Sequence, residues 1–283
     1  MSNERHNKDW THDENQFLID NSCSHSIKQL SKMLGRKEKA IKKRIYNFHL
    51  DYIGKREVRH VDENFFKTWN EDMAYVLGYW FADGCIGVWG GGYRFTITSN
   101  DLEHLKKIQN IMGSNHKLKP RRDDKSHTLT IGCKEIYNDI IKLGGCERKS
   151  LVAEFPDVPE EYLRHFIRGN FDGDGSIYFR TNSDEPRISF VGSESFIKTL
   201  NNKLPYHSKI EKVHENTHNI RFICEYAQDI LKLMYEDCNI YLERKYKLYK
   251  KTNKWKRQRK LRCDSILWQL NGLPQSYTYG IQV

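Results

Sequence analysis

Between residues 70 and 250 the pattern of apolar and polar positions runs through the same order twice. The first pass opens at Asn70, a good helix N-cap, followed by Glu71 and Asp72 at the positive end of the helix dipole. This apolar helical run ends at Val76-Leu77-Gly78-Tyr79-Trp80-Phe81-Ala82-Asp83-Gly84 and passes into the strand-like Ile86 to Trp89. The period then drops to two: Phe95 and Ile97 share one face, and Arg94, Thr96 and Thr98 the other. Helical spacing returns with Leu102, Leu105, Ile108 and Met112. Strands over Lys117 to Arg121 and Thr128 to Ile131 follow, and a helix carrying Ile136, Tyr137, Ile140 and Ile141 closes the pass.

The second pass opens at Pro159, which suits the first turn of a helix. Its helix ends at Ile167-Arg168-Gly169-Asn170-Phe171-Asp172-Gly173-Asp174-Gly175, and a strand follows at Ile177 to Phe179. Arg187 to Phe190 matches Arg94 to Ile97, and the helix of Phe196, Ile197, Leu200 and Leu204 matches 102–112. His218 to Phe222 matches His127 to Ile131, and Ala227, Ile230, Leu231 and Met234 match 136–143. Glu147-Arg148-Lys149 recurs as Glu243-Arg244-Lys245. Each half therefore reads αββαββα, and the predicted fold class is α+β, with two pseudo-symmetric repeats whose sheets form one saddle. One face of each sheet is apolar and helix-covered; the other is polar.

Residues 10 to 50 predict a separate all-helical unit. Thr11 and Glu14 fit a capping box for a first helix bearing Phe17 and Leu18, and Ser26 caps a second bearing Ile27, Leu30 and Met33. Leu34-Gly35-Arg36 is a tight turn. The third helix buries Ala40, Ile41, Ile45 and Phe48 and leaves Lys37, Lys39, Lys42 and Lys43 on its other positions. This unit resembles a helix-turn-helix of the SANT/Myb-like kind, whose last helix enters a major groove while lysines meet phosphates. A small protein-binding bundle with a solvated lysine face is the alternative. The expected domains are 1–52, a helix-turn-helix; 53–69, a linker; 70–153 and 154–252, the two repeats; and 253–283, a basic tail. Phe65, Phe66 and Trp69 are expected to pack on the domain that follows the linker.

Charge adds a partner. Lys and Arg number 47 against 37 Asp and Glu, a net charge of +10, which favours a polyanion. From Glu243 to Arg262 eleven of twenty residues are Lys or Arg, interleaved with Tyr246, Tyr249 and Trp255, a composition suited to phosphate contact. The seven cysteines show no C-x-x-C spacing and read as reduced thiols rather than zinc ligands or disulfides. No apolar run approaches membrane-spanning length, and residues 1–13 are unlike a presequence. A cytoplasmic protein of a phage or bacterial host is expected ahead of an organellar one, with no membrane partner. The chain start is not a splicing nucleophile and its end lacks His-Asn, so a free-standing protein is expected rather than an intein.

The candidate chemistry sits at the ends of the two apolar helices. An Asp before Gly after a helix is most often just a turn. Two copies, 174 − 83 = 91 residues apart in matched halves, suggest instead one carboxylate for each of two similar bonds. Asp172-Gly173-Asp174-Gly175 could open a calcium loop, but the remaining ligand positions are missing. No Ser or Cys nucleophile stands at a meaningful spacing from a His, and Gly90-Gly91-Gly92 lies between strands as a hairpin turn rather than a phosphate loop.

These segments resemble the paired motifs of the single-chain LAGLIDADG homing endonucleases. Gly78, Ala82, Asp83 and Gly84 match in the first copy, and Gly169, Asp172, Asp174 and Gly175 in the second; the likeness runs from Asn70 to Lys251. Phe81 departs where the motif has its first Asp, and Arg168 and Asn170 stand at apolar positions. The resemblance implies a site-specific, Mg²⁺-dependent double-strand DNA endonuclease, with Mn²⁺ able to substitute, that promotes mobility of its intron or gene. It implies a monomer acting as a pseudo-dimer. Asp83 and Asp174 would hold metal, aided by the backbone carbonyls of Ala82 and Gly173, and Lys149 and Lys245 would order water or stabilise charge. Asp172 would cap the helix or bind backbone.

Strand-borne candidates for DNA contact are Arg94, Thr96, Lys117, Lys119, Thr128, Thr130, Tyr178, Arg180, Arg187, Ser189, Lys209 and Arg221. Two other functions fit the same surface: a non-cleaving DNA-binding regulator, and a maturase that binds intron RNA by shape and assists group I splicing.

Overall fold

A computed structural model describes residues 9–50, 52, 59–121, 125–147, 149, 153–181 and 183–256. The expectations for Gly54-Lys55-Arg56, Arg148 and the tail beyond residue 256 lie outside these. The chain divides into two compact units, Met1–Arg59 and His60–Val283. No helix among the described residues is long and apolar enough to cross a membrane. Cys85, Cys133, Cys146 and Cys238 are free thiols among the described residues.

The first unit is three helices: α1 (His12–Asn21), α2 (Ile27–Leu34) and α3 (Glu38–Asn47). Both capping boxes form, Thr11 with Glu14 and Ser26 with Gln29. Gly35 ends α2 at φ 60, the left-handed region that a side chain would strain. Leu18, Ile27, Leu30, Ile41 and Ile45 make the core. Arg36, named in the sequence only as part of a turn, is buried: it grips Glu14 through two hydrogen bonds of 2.9 and 2.8 Å and lies 4.3 Å over the Trp10 ring. That pairing holds the Glu14 carboxyl below its ordinary value. Lys37, Lys39, Lys42 and Lys43 are all exposed.

The second unit begins inside the expected linker. Phe65 and Phe66 are buried, and Phe66 packs on Phe95. Asp62 N–H donates to Met112 O at 3.0 Å. Residues 60–69 therefore belong to this unit rather than to a free connector, because two aromatic rings cannot stay in water at no cost while an apolar site is available.

The first repeat comprises α4 (Glu71–Asp83), β1 (Gly84–Trp89), β2 (Gly92–Ser99), α5 (Leu102–Ile111), β3 (Lys119–Pro120), β4 (His127–Ile131) and α6 (Lys134–Lys142). The second comprises α7 (Glu160–Asp174), β5 (Ser176–Phe179), β6 (Pro186–Gly192), α8 (Glu194–Lys203), β7 (Glu211–His214), β8 (Thr217–Ile223) and α9 (Cys224–Tyr235); α10 (Glu243–Thr252) follows. The order is αββαββα in both. The two antiparallel sheets repeat it too, as β1-β2-β4-β3 and β5-β6-β8-β7. β3 is far shorter than the expected Lys117 to Arg121. It is an edge strand, and Pro120 has no N–H to give a ladder.

The α4–α7 crossing joins the repeats. A Cβ at Gly78 would lie 2.0 Å from Phe166 O, and one at Gly169 would lie 2.0 Å from Tyr75 O. The helices thus meet backbone to backbone, which explains a glycine in mid-helix despite a propensity cost of ~1 kcal/mol each. Around this contact α4 is buried continuously from Met73 to Phe81. Arg168, at an apolar position of α7, is fully buried yet satisfied: its guanidinium donates to Met234 O and Ile240 O, both at 2.9 Å, and so caps the end of α9.

Gly78→Ala or Gly169→Ala drives a methyl into backbone oxygen, which no rotamer change relieves. We expect each to destabilise the second unit by about 3 kcal/mol or more, the upper range for overpacking. Urea unfolding measures this, and an unshifted midpoint would show that the helices can part freely.

Candidate active site

The glycine-mediated crossing carries the last residues of α4 and α7 to one place. A Cβ at Gly173 would lie 2.3 Å from Ala82 Cβ and 3.5 Å from Asp83 Oδ2. Asp83 and Asp174, each the final residue of its helix, are therefore neighbours, Asp83 half-buried and Asp174 open to solvent. Desolvation, then the like charge of Asp174, raise the Asp83 carboxyl to about 6, against a pull from Tyr79 and the two nearby lysines. Asp174 is raised as well, by desolvation from the protein surrounding the cleft although its own side chain keeps contact with solvent, with Lys149 and Lys245 opposing.

Lys149 and Lys245 are buried beneath this pair. Lys149 Nζ donates to Phe81 O at 2.7 Å and Ala82 O at 3.0 Å. Lys245 Nζ donates to Phe171 O, to Asp172 O at 2.8 Å and to Gly173 O at 3.4 Å. The two ammonium groups thus occupy matched positions, each on the carbonyls that precede an acid. Burial lowers both, Lys245 to about 8, while the surrounding carboxylates resist the shift. Neither is a surface lysine. The carbonyls of Ala82 and Gly173 face this centre and already accept from the lysines; each retains a second lone pair.

The halves differ one residue pair away. Asp172 is fully buried and lies outside the acid pair. Its Oδ2 accepts from Tyr75 Oη at 2.6 Å and from Leu242 N–H at 2.8 Å, and its Oδ1 accepts from Tyr235 Oη at 2.5 Å. His104 Nε2 meets the same Tyr75 hydroxyl at 3.0 Å, and desolvation lowers its imidazole to about 4, so it is neutral. The expected backbone contact of Asp172 is made, but to a residue 70 positions away and not within its own helix. At the equivalent position Phe81 packs on Phe166 and Phe196. A cavity of ≈ 200 Å³ opens there, walled by Phe81, Phe196 and Asn170 and reaching Lys149 and Asp174. Sequence reasoning missed Tyr75, Tyr235 and His104; a tyrosine in an apolar helix gives no sign of a partner on another element.

The strand candidates fall largely into register. Thr98, Thr128 and Lys119 face one another across β2, β4 and β3, and Thr96 pairs with Thr130. On the second sheet Tyr178 pairs with Arg187, and Ser189 with Arg221. Arg94 is half-buried beside Gly92 and bonds Tyr93 O. Arg187 is held by Glu185 at 3.0 Å and Arg221 by Glu211 at 3.3 Å, with Arg180 4.0 Å from Glu185. Lys117 and Lys209 are exposed and lie outside the strands, just ahead of β3 and β7.

No known protein-family profile matches the chain. It is 25% identical over 134 residues to an uncharacterized protein of Methanocaldococcus jannaschii, covering 43% of this chain and 15% of that protein. It is 28% identical over 162 residues to a probable translation initiation factor IF-2 of the same organism, covering 53% of this chain and 13% of that one. The chain thus matches only a small part of either relative's length. Among solved structures, a lysine-to-alanine mutant of I-SmaMI aligns with a TM-score of 0.50 and 13% identity, over 66% of this chain and 90% of that one. The LAGLIDADG homing endonuclease I-GzeII, solved with its DNA target, aligns at 0.49 and 12%, over 66% and 89%. I-SmaMI is itself described as a LAGLIDADG homing endonuclease and was solved bound to cleaved DNA. The second unit has this endonuclease fold, with two motif helices at its centre.

Burial, and then the neighbouring like charge, make an ionised Asp83 unfavourable to the fold. The folded carboxyl of Asp83 binds its proton more tightly than the unfolded one, so its contribution falls as pH rises from about 4 to about 6 and is a penalty above that. Asp83→Asn should therefore stabilise the protein at pH 7.5, by about 2 kcal/mol, and flatten that part of the pH profile. Thermal unfolding across pH 4 to 8 is the check; a variant less stable than the parent at neutral pH would contradict the burial penalty on Asp83.

Proposed function

We propose that the chain is a divalent-metal-dependent, site-specific endonuclease that cuts both strands of duplex DNA. The observation that carries this reading is the pairing, at one helix crossing, of two carboxylates each backed by a buried lysine. That arrangement suits two equivalent hydrolyses, one on each strand.

The donor set fits a hard cation. Asp83 and Asp174 are neighbouring anions raised by desolvation, and a cation would relieve their repulsion. Mg²⁺ takes oxygen ligands, and the two carboxylates with the carbonyls of Ala82 and Gly173 offer them; Mn²⁺ accepts the same set. When bound, such an ion lowers the pKa of a coordinated water and neutralises phosphate charge. The protein's own part is placement. Lys149 and Lys245 hold the carbonyls that precede each acid and keep positive charge next to the phosphate's path. A water attacks the phosphorus, the ester oxygen leaves and takes up a proton, and the backbone is cut.

Binding is assigned to the polar faces of the two sheets, where Thr96, Thr98, Thr128, Thr130 and Ser189 offer hydrogen bonds and Lys119, Arg187 and Arg221 offer charge. In the first unit the exposed lysines of α3 would add a tethered contact that raises affinity through effective concentration. Mobility of the host intron or gene is the biological role we assign to such cutting.

Asp83→Asn and Asp174→Asn should each slow double-strand cleavage at least about a hundredfold, a loss of about 3 kcal/mol of transition-state stabilisation, while DNA affinity stays near that of the parent. A genomic-fragment library incubated with Mg²⁺, and in parallel with EDTA, reveals the target and the metal requirement. Undiminished cutting by either variant, or cutting in chelator, would remove the assignment. Replacing Lys39 and Lys42 together by Ala should weaken binding for all sequences alike and lower the salt slope by about two. An unchanged slope would take α3 off the DNA.

A further inference from the structure

The two lysines at the acid pair are held in different ways. Lys245 lies in the first turn of α10, a helix whose N-cap, Leu242, has no side-chain cap of its own. The cap comes from another helix instead: the Asp172 carboxylate accepts the Leu242 N–H at 2.8 Å. An anion at that end also meets the positive pole of α10. Tyr75 and Tyr235 hold the carboxylate from two further elements, at 2.6 and 2.5 Å. The segment 242–245 therefore wraps Asp172, bonding its side chain through Leu242 and its carbonyl through Lys245.

Among the described residues the first half shows no such clamp at the matching position. Phe81 stands where Asp172 stands, 172 − 81 = 91 residues earlier. Phe166 stands in place of Tyr75 by the same offset, 166 − 75 = 91. Phe196 stands in place of His104, each three residues past the N-cap of its helix. A polar triad in one half is thus an apolar triad in the other. Lys149 Nζ donates to the Phe81 and Ala82 carbonyls and lies 5.4 Å over the Trp80 ring, beside the ≈ 200 Å³ cavity, and no carboxylate bonds its segment among the described residues.

We propose that Asp172 is a positioning residue for Lys245 alone, so that the two half-sites are unequally supported and removal of its charge slows the cutting of one strand. The strand-specific part rests on the endonuclease reading; the clamp itself does not.

The clamp is tested first, on the full chain without DNA. Reductive methylation read by peptide mass spectrometry reports the access of each lysine. Both should react slowly in the parent. In Asp172→Asn, Lys245 should react at least about fivefold faster through local opening of the start of α10, with Lys149 changing less than about twofold. Tyr235→Phe, which removes one donor and keeps the ring, should give a smaller shift in the same direction. Circular dichroism and melting confirm that both variants are folded. Equal acceleration of the two lysines, or none in either variant, would overturn the clamp.

The consequence is then read on a supercoiled plasmid carrying the target. Asp172→Asn and Lys245→Met should slow the same strand at least about tenfold more than the other, so that nicked circles accumulate. Equal slowing of both strands overturns the unequal support. A parent protein that leaves every plasmid uncut in Mg²⁺ instead sinks the endonuclease reading, and the methylation ratio still decides the clamp.

Discussion

The second unit depends on two glycines that let α4 and α7 touch through their backbones. Side chains larger than hydrogen at Gly78 and Gly169 would push the helices apart, and the ends of both helices would separate with them. The site is a consequence of that contact, because Asp83 and Asp174 are the final residues of the crossing helices. The same crossing places a carbonyl run next to each acid, and the buried lysines bond to those carbonyls. Packing and chemistry therefore share one constraint, and neither can drift without the other. Ionising Asp83 costs stability in return, because burial and the neighbouring carboxylate both oppose its charge.

Pseudo-symmetry governs the backbone more strictly than the side chains. Strand order, helix order and the two lysine anchors repeat. The layer just behind them does not: Tyr75, His104 and Asp172 form a hydrogen-bonded chain, and Phe166, Phe196 and Phe81 form an apolar cluster. Each solution is complete in itself. A buried carboxylate needs its three donors, whereas rings need only volume. Arg168 follows the same logic, a buried cation made tolerable by carbonyls at the end of α9.

The first unit and the sheet faces supply positive charge and hydroxyls. Several arginines on the second sheet already pair with glutamates, so their charge is partly answered within the protein. The first sheet offers mainly threonines bonded to one another across strands, such as Thr98 with Thr128 at 3.3 Å. Such surfaces suit contact with a long polyanion, where many weak bonds replace a few strong ones.

Much of this was legible in the residues alone. Period two at Phe95 and Ile97, the caps at Thr11, Ser26 and Asn70, and the recurrence of Glu-Arg-Lys at an equivalent place all report local preferences, which the chain carries with it. They were enough to order the elements of both repeats apart from β7, while Asp83 and Asp174 stood out as a duplicated Asp-Gly and Lys149 and Lys245 only through the family resemblance. The folded chain alone decided that Asp172 holds Leu242, that Arg36 holds Glu14, that the second unit starts as early as His60 and that β3 shrinks to two residues. The reason is range. Periodicity tells which side of its own element a residue faces, but the partner it meets there is set by how helices cross and strands end, through contacts between residues far apart in sequence.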